Sequence, residues 1–254
     1  MTFSDAPEKH TCPYCGREKY LVAIASGNTI GGMIWSDSKS IYPMLPQTSP
    51  IQKCPHCSRY YFLDSVKRDL ARVVTVDGKE IELKWLSIWD RIEKKDEGRE
   101  KTPEELEMEK IRERVDKEAS KNRFGELNYQ DLAEAFKDLM LDDVSEEHRV
   151  TYQFAYVFAY NDARTGRAHS DKEDIPESYN ALFRECAMGL IEHFGEEMTI
   201  TAELWRELGN FDKSIELCQK LIAVGTDVGV VKQILERAQN SDPSVFVLKF
   251  DEED

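Results

Sequence analysis

The chain has 254 residues, 41% of them hydrophobic and 33% charged, enough for one large domain or two modest ones around a real core. Its 34 Lys and Arg stand against 49 Asp and Glu, a formal net charge of −15, and residues 1–75 are net basic at +3 while the remainder carries −18. So acidic a chain repels phosphate backbones and anionic lipid, because binding there depends on Lys and Arg displacing counterions.

No apolar run approaches the roughly 20 residues that span a bilayer. The start, MTFSDAPEKH, is polar and lacks the apolar stretch of a signal peptide. Four of the 6 cysteines sit in CxxC pairs, which favours metal binding in a reducing cytoplasm over secreted disulfides.

The pairs are Cys12-Pro13-Tyr14-Cys15-Gly16 and Cys54-Pro55-His56-Cys57-Ser58. CPYC resembles the glutaredoxin active site and CPHC that of periplasmic disulfide oxidases. Both of those sites lie between a buried strand and a long helix, whose N-terminus lowers the thiol pKa. Here mostly polar residues precede Cys12, and Ser-Arg-Tyr-Tyr-Phe-Leu after Cys57 reads as a strand. A thiol redox protein is therefore an alternative, not the first reading. Two CxxC loops can each donate two thiolates to tetrahedral zinc. Proline at the second position preorganises each loop, and Gly16 permits the left-handed backbone that such a knuckle needs, a place taken less ideally by Ser58. The expected site is one structural zinc held by Cys12, Cys15, Cys54 and Cys57. His10 and His56 are expected behind the ligands or in solvent. Residues 12–57 resemble a zinc ribbon, with 38 residues between Cys15 and Cys54, about twice the usual spacer.

The spacer reads as strands. Tyr20–Ala25 is apolar and β-prone, Ser26–Gly32 is a bend, and Met33-Ile34-Trp35 returns. Trp35, Tyr42, Met44, Tyr60, Tyr61 and Phe62 form an aromatic-rich set expected near the knuckles. Further on, Asp77-Gly78 between β-prone runs predicts a hairpin over 73–83. Trp85 and Trp89 follow at i, i+4 spacing and are expected in a core. From Asp90 to Asn122 the composition turns to charge. Thr102-Pro103-Glu104-Glu105 starts a helix whose only apolar residues are Leu106, Met108, Ile111 and Val115, a stripe narrow enough for a solvated linker.

The second half reads as helices. Asn128 caps the first. The run from Val150 to Tyr160 alternates aromatics like a strand, but Tyr152/Tyr156/Tyr160 and Val150/Phe154/Phe158 also recur every fourth residue, and flanking end signals favour helix. Tyr179–Phe194 is amphipathic, ends at Gly195, and carries Cys186 on its apolar face. Ala202–Leu221 resembles a tetratricopeptide unit, with Gly209-Asn210-Phe211-Asp212 at the turn, Ser214 as the small residue of the second helix, and Ala202 and Trp205 as first-helix contacts. Thr226 is expected to cap a further helix, and Pro243–Phe250 to form an edge strand.

The expected fold class is α+β multidomain: a zinc-ribbon-like β module over 1–90, a charged helical linker over 91–125 and a helical tetratricopeptide-like domain over 126–254. Taken whole, the order resembles a family of uncharacterised bacterial proteins with an N-terminal CxxC…W-S-D…M-L-P…CPxC ribbon and a C-terminal helical domain. That resemblance implies no activity. No nucleophile elbow, phosphate loop, HExxH or dinucleotide fingerprint is visible, and a non-enzymatic protein is expected. His148 near Asp142 and Asp143 reads as a solvated helix start. The expected role is a zinc-stapled adaptor for a protein or peptide, with a basic segment as ligand lodged along helices near 146–163 and 197–208. A nucleic-acid-binding ribbon is the alternative, since Arg17, Lys19, Lys53, Arg59, Lys67 and Arg68 make a weak phosphate patch.

Overall fold

A computed structural model describes residues 3–4, 8–21, 24–26, 28–42, 48–70, 73–76, 79–82, 106, 110, 113, 127–140, 143–167 and 172–250. The architecture is α+β, with small antiparallel hairpins in the N-terminal part and, among the described residues, six helices from Tyr129 on. The described strands are β1 Phe3–Ser4, β2 Glu8–Thr11, β3 Glu18–Leu21, β4 Ile24–Ser26, β5 Met33–Ile34, β6 Ser40–Ile41, β7 Ile51–Lys53, β8 Tyr60–Phe62, β9 Arg68–Leu70, β10 Val73–Val76 and β11 Lys79–Glu82. The helices described from end to end are α1 Tyr129–Leu139, α2 Glu146–Thr165, α3 Glu177–Phe194, α4 Thr199–Glu207, α5 Phe211–Val224 and α6 Val228–Gln239. The chain divides into two compact units. One is Met1–Ile30 with Tyr42–Glu126, and the other is Gly31–Ile41 with Leu127–Asp254.

In the first unit β2 pairs on one side with β3 and on the other with β9, both antiparallel. The other pairs are β1 with β4, β7 with β8 and β10 with β11. The last is the hairpin expected around Asp77-Gly78, with Val76 opposite Lys79. Leu21, Ile51, Tyr60 and Tyr61 are buried almost completely. So small a sheet closes little apolar surface, and a metal staple suits it. Trp85 and Trp89 lie outside the described residues. Of the charged helix expected after Thr102, only Leu106, Lys110 and Glu113 are described, all helical and exposed.

The second unit is built on α1–α6. Asn128 caps α1 as expected, its Oδ1 accepting from the Asp131 N–H at 2.8 Å. The aromatic run from Val150 to Tyr160 is helical, inside α2, because Ser145 caps it at one end and Gly166, at φ 72°, closes it at the other. Every fourth side chain then faces the core: Tyr152, Tyr156 and Tyr160 are buried, and each hydroxyl finds an acceptor, on Leu132 O, Tyr179 O and Asn180 Oδ1. The α4–α5 pair turns at Gly209, at φ 77°, and Asn210 caps α5. The Ser214 hydroxyl donates to Ala202 O at 2.8 Å, so the small residue lets α5 close on α4. Ala202, Leu217, Cys218, Leu221, Val231 and Ile234 form the core that α6 completes.

Two local expectations are corrected. Thr226 does not cap α6: its N–H closes the end of α5 on Leu221 O, and Asp227, at φ 39°, takes the cap position. Pro243–Phe250 makes a single bridge, Val247 with Trp35, in place of a strand. Its partner is the segment Gly31–Ile41. Leu248 N–H donates to Ile34 O at 2.8 Å and Ser36 N–H to Phe246 O at 2.9 Å. Trp35, expected among the knuckle aromatics, therefore belongs to the helical unit, where the Arg167 guanidinium lies 5.2 Å from its ring.

β5 and β6 form a short hairpin whose tip carries Asp37 into that unit. Asp37 is fully buried. It accepts two bonds from Arg167, at 2.8 and 2.6 Å, and one from Asn161 Nδ2 at 3.0 Å. Asn161 uses its other amide hydrogen on Glu207 Oε2, at 2.8 Å, and its Oδ1 accepts from Arg164. Asp162 in turn accepts from Arg167 Nε and from Lys39 Nζ. Beside this network lies a second buried ion pair, Glu203 with Arg206. These bonds tie the hairpin to the C-terminal end of α2, and Asn161 carries the network on to Glu207 of α4.

Candidate metal centre

Each knuckle is a tight turn closed by its own backbone. Gly16 N–H donates to Cys12 O at 3.0 Å and Cys12 N–H to Arg17 O at 2.9 Å; Ser58 to Cys54 O and Cys54 to Arg59 O repeat the pattern, both at 2.9 Å. The two knuckles are thus superimposable in their hydrogen bonding. Gly16 sits at φ 69° and Ser58 at φ 58°, the left-handed conformation expected at that place. One knuckle links β2 to β3, and the other links β7 to β8.

The four Sγ atoms of Cys12, Cys15, Cys54 and Cys57 all lie within 4.8 Å of one another. Across the knuckles, Cys12 and Cys57 approach to 3.8 Å and Cys15 and Cys54 to 3.6 Å. A tetrahedron with metal–sulfur bonds of ~2.3 Å has edges of about 3.8 Å. The donor set therefore fits a tetrahedral metal ion such as this ligand type takes. Four protein ligands leave no open position for a substrate.

The thiols are electrostatically unequal. Burial raises the Cys54 thiol, but the backbone N–H groups of Cys57 and His56 outweigh it and draw it down to about 7. The His56 N–H lies 3.4 Å from Cys54 Sγ. At Cys57 the Arg59 N–H pulls downward, yet burial and the facing sulfurs push the thiol up to about 12. Four thiols at this spacing cannot all ionise without a cation among them.

The surroundings brace the cluster. Tyr61 packs on Cys12 and Cys54, and its hydroxyl lies 2.7 Å from His10 Nε2. His10 is thus buried behind the sulfurs, while exposed His56 accepts from Arg17 across the knuckles at 3.0 Å. Neither histidine joins the sulfur cluster. Arg59 stacks 3.8 Å above the Tyr14 ring, a second brace between knuckles. Lys19 is buried and donates to Gln52 Oε1 at 2.8 Å. Burial lowers its pKa, and the charge of Cys54 works against that.

Among the described residues no other group of His, Cys, Asp and Glu gathers as ligands. Asp142 lies outside the described residues, and His148 sits in the first turn of α2, where its N–H donates to Ser145. Cys186 and Cys218 are buried helix residues whose thiols burial pushes up, Cys218 to about 11, so both stay protonated and unreactive.

Compared with protein-family models, with curated proteins and with solved structures, the chain matches none. Among the described residues no helix is long and apolar enough to cross a membrane.

Proposed function

We propose that this chain is a non-enzymatic interaction protein whose β-rich unit is stapled by one zinc ion on Cys12, Cys15, Cys54 and Cys57, and whose helical unit holds a protein or peptide partner. The observation that carries the zinc is the convergence of four sulfurs, from knuckles far apart in sequence, at tetrahedral spacing. When bound, the ion supplies a closed structural cross-link and no reaction. The chain's own groups hold the sulfurs in place: knuckle N–H groups point at them, and Tyr61, His10 and Lys19 back them. A redox role would use each pair by itself beside a helix N-terminus, whereas here each pair joins two strands.

Several observations favour a protein partner over nucleic acid. The expected phosphate patch is largely spent on internal contacts: Arg17 on His56, Arg59 on Tyr14, Lys53 over Tyr60 and Lys19 inside the fold. A doubly negative zinc–tetrathiolate would further offset them. The acidic remainder suits a basic segment. The α4 face is not the free lining expected for such a segment. Ile200–Leu204, Arg206 and Glu207 are buried; Asn161, which also holds Asp37 of hairpin 31–41, bonds Glu207, and Asp242 O accepts from Arg206. The partner surface then falls on the other faces of the helical unit.

Metal analysis of full-length protein prepared without chelators tests the zinc: one ion per chain is expected, and cobalt should give the spectrum of a tetrahedral thiolate site. Retention of full occupancy by Cys54→Ser would remove the assignment. Capture of partners from the native cell by the full chain tests the adaptor role. Tight, strongly salt-dependent nucleic-acid binding in its place would move the function to the ribbon.

A further inference from the structure

The spacer between the cysteine pairs leaves the β-rich unit after Ile30 and re-enters it at Tyr42. Between these points its hairpin belongs to the helical unit, and its grip there is polar and buried. Asp37 is held by Arg167 and Asn161, Lys39 by Asp162, and Ser36 Oγ by the Phe246 N–H. The β5–β6 ladder has only two residue pairs, Met33 with Ile41 and Ile34 with Ser40, too few to hold a hairpin together unaided. The cysteine pairs flank the hairpin in sequence, Cys12 and Cys15 before it and Cys54 and Cys57 after it, so their cluster closes a loop of chain that contains it.

We propose that metal binding by the four cysteines and docking of the Gly31–Ile41 hairpin into the helical unit are thermodynamically coupled, so that metal loss releases the hairpin. The inference rests on the zinc reading above and assigns that site a regulatory consequence. A cross-link that pins both ends of a loop removes conformational freedom the loop would otherwise lose on docking. Metal therefore favours the docked hairpin, and by linkage the docked hairpin favours metal. Release would uncover Arg167, Asn161 and Asp162, the groups that hold Asp37 and Lys39. The helical unit would thereby present a different surface when metal is absent.

Hydrogen exchange of the wild-type full chain tests this without any variant. Zinc-loaded and chelator-stripped samples are compared, with occupancy verified by native mass spectrometry. The expected result is faster exchange after stripping in 31–41, 161–167 and 244–248, with 211–239 unchanged. Equal protection of the hairpin in both samples overturns the coupling while leaving the zinc reading intact. Exchange that rises throughout the helical unit also overturns it, because the effect is then global unfolding. A chain that takes up no zinc overturns both. The reciprocal arm measures zinc affinity by competition with a chromophoric chelator: Asp37→Asn, which weakens the dock without changing a cysteine, should lower affinity several-fold. Unchanged affinity in a folded Asp37→Asn chain counts against the coupling.

Discussion

Arg167 grips both carboxylate oxygens of Asp37, at 2.8 and 2.6 Å, although 130 residues separate them in sequence. Both side chains are fully shielded from water. A bidentate pair so buried is geometrically specific, and removal of one partner leaves an uncompensated charge in a low dielectric. Asp37→Ala should therefore destabilise the helical unit by about 3 kcal/mol, toward the lower end of such losses because Asp162 still accepts from Arg167. Urea unfolding followed by helical circular dichroism checks it. A change within experimental error would show that the pair is not part of the cooperative fold.

Glu207 gives a pH dependence of definite sign. Burial, then the charges of Glu203 and Asp37, raise its carboxyl well above 4.5, and its Oε1 finds no partner. The folded state thus holds a proton that the unfolded state gives up. Its contribution is complete below 4.5 and is lost as pH rises through the folded-state value. Each pKa unit of elevation costs about 1.4 kcal/mol on the alkaline side. Glu207→Gln keeps the acceptor for Asn161 without the charge, so stability should fall less steeply than in the wild type as pH rises from 4.5 through the folded-state value. Parallel curves would refute the assignment.

The knuckles differ at one backbone position. Ser58 holds φ 58° where its counterpart Gly16 holds φ 69°, and an L side chain is strained there. Ser58→Gly should stabilise the β-rich unit by about 1 kcal/mol. Gly16→Ala should cost about as much, from backbone strain alone, since nothing lies within 4 Å of the added carbon. Resistance of the zinc-loaded chain to chelator and to heat should follow that order.

Metal affinity should fall as pH falls. All four thiols must lose their protons to bind, and Cys57 is pushed up to about 12 in the metal-free cluster. Titration of zinc-loaded protein toward acid, with released zinc read by an indicator, should show steep loss as protons compete for the sulfurs. Release independent of pH would mean that the ligands are not thiolates.

The sequence determined what is local. Two CPxC loops, glycine and serine after them, the hairpin strands on either side of Asp77-Gly78, and the helix starts at Asn128 and Ser145 all act through their immediate neighbours, so spacing and residue type were enough. The clustering of the four sulfurs was legible because candidate ligands are written in residue type, whatever path the chain takes between its halves. The tertiary structure alone decided where the spacer goes. Met33, Ile34 and Trp35 look like any ribbon strand, and only packing shows that they meet Phe246–Leu248. Asp37, Asn161, Arg167, Glu203, Arg206 and Glu207 read as ordinary polar residues of turns and helix faces. Their burial follows from elements far apart in sequence closing over them, and burial is what converts surface charges into fixed partners. Thr226 shows the same limit on a smaller scale: its N–H was taken by the end of α5, a competition that a single-helix reading does not contain.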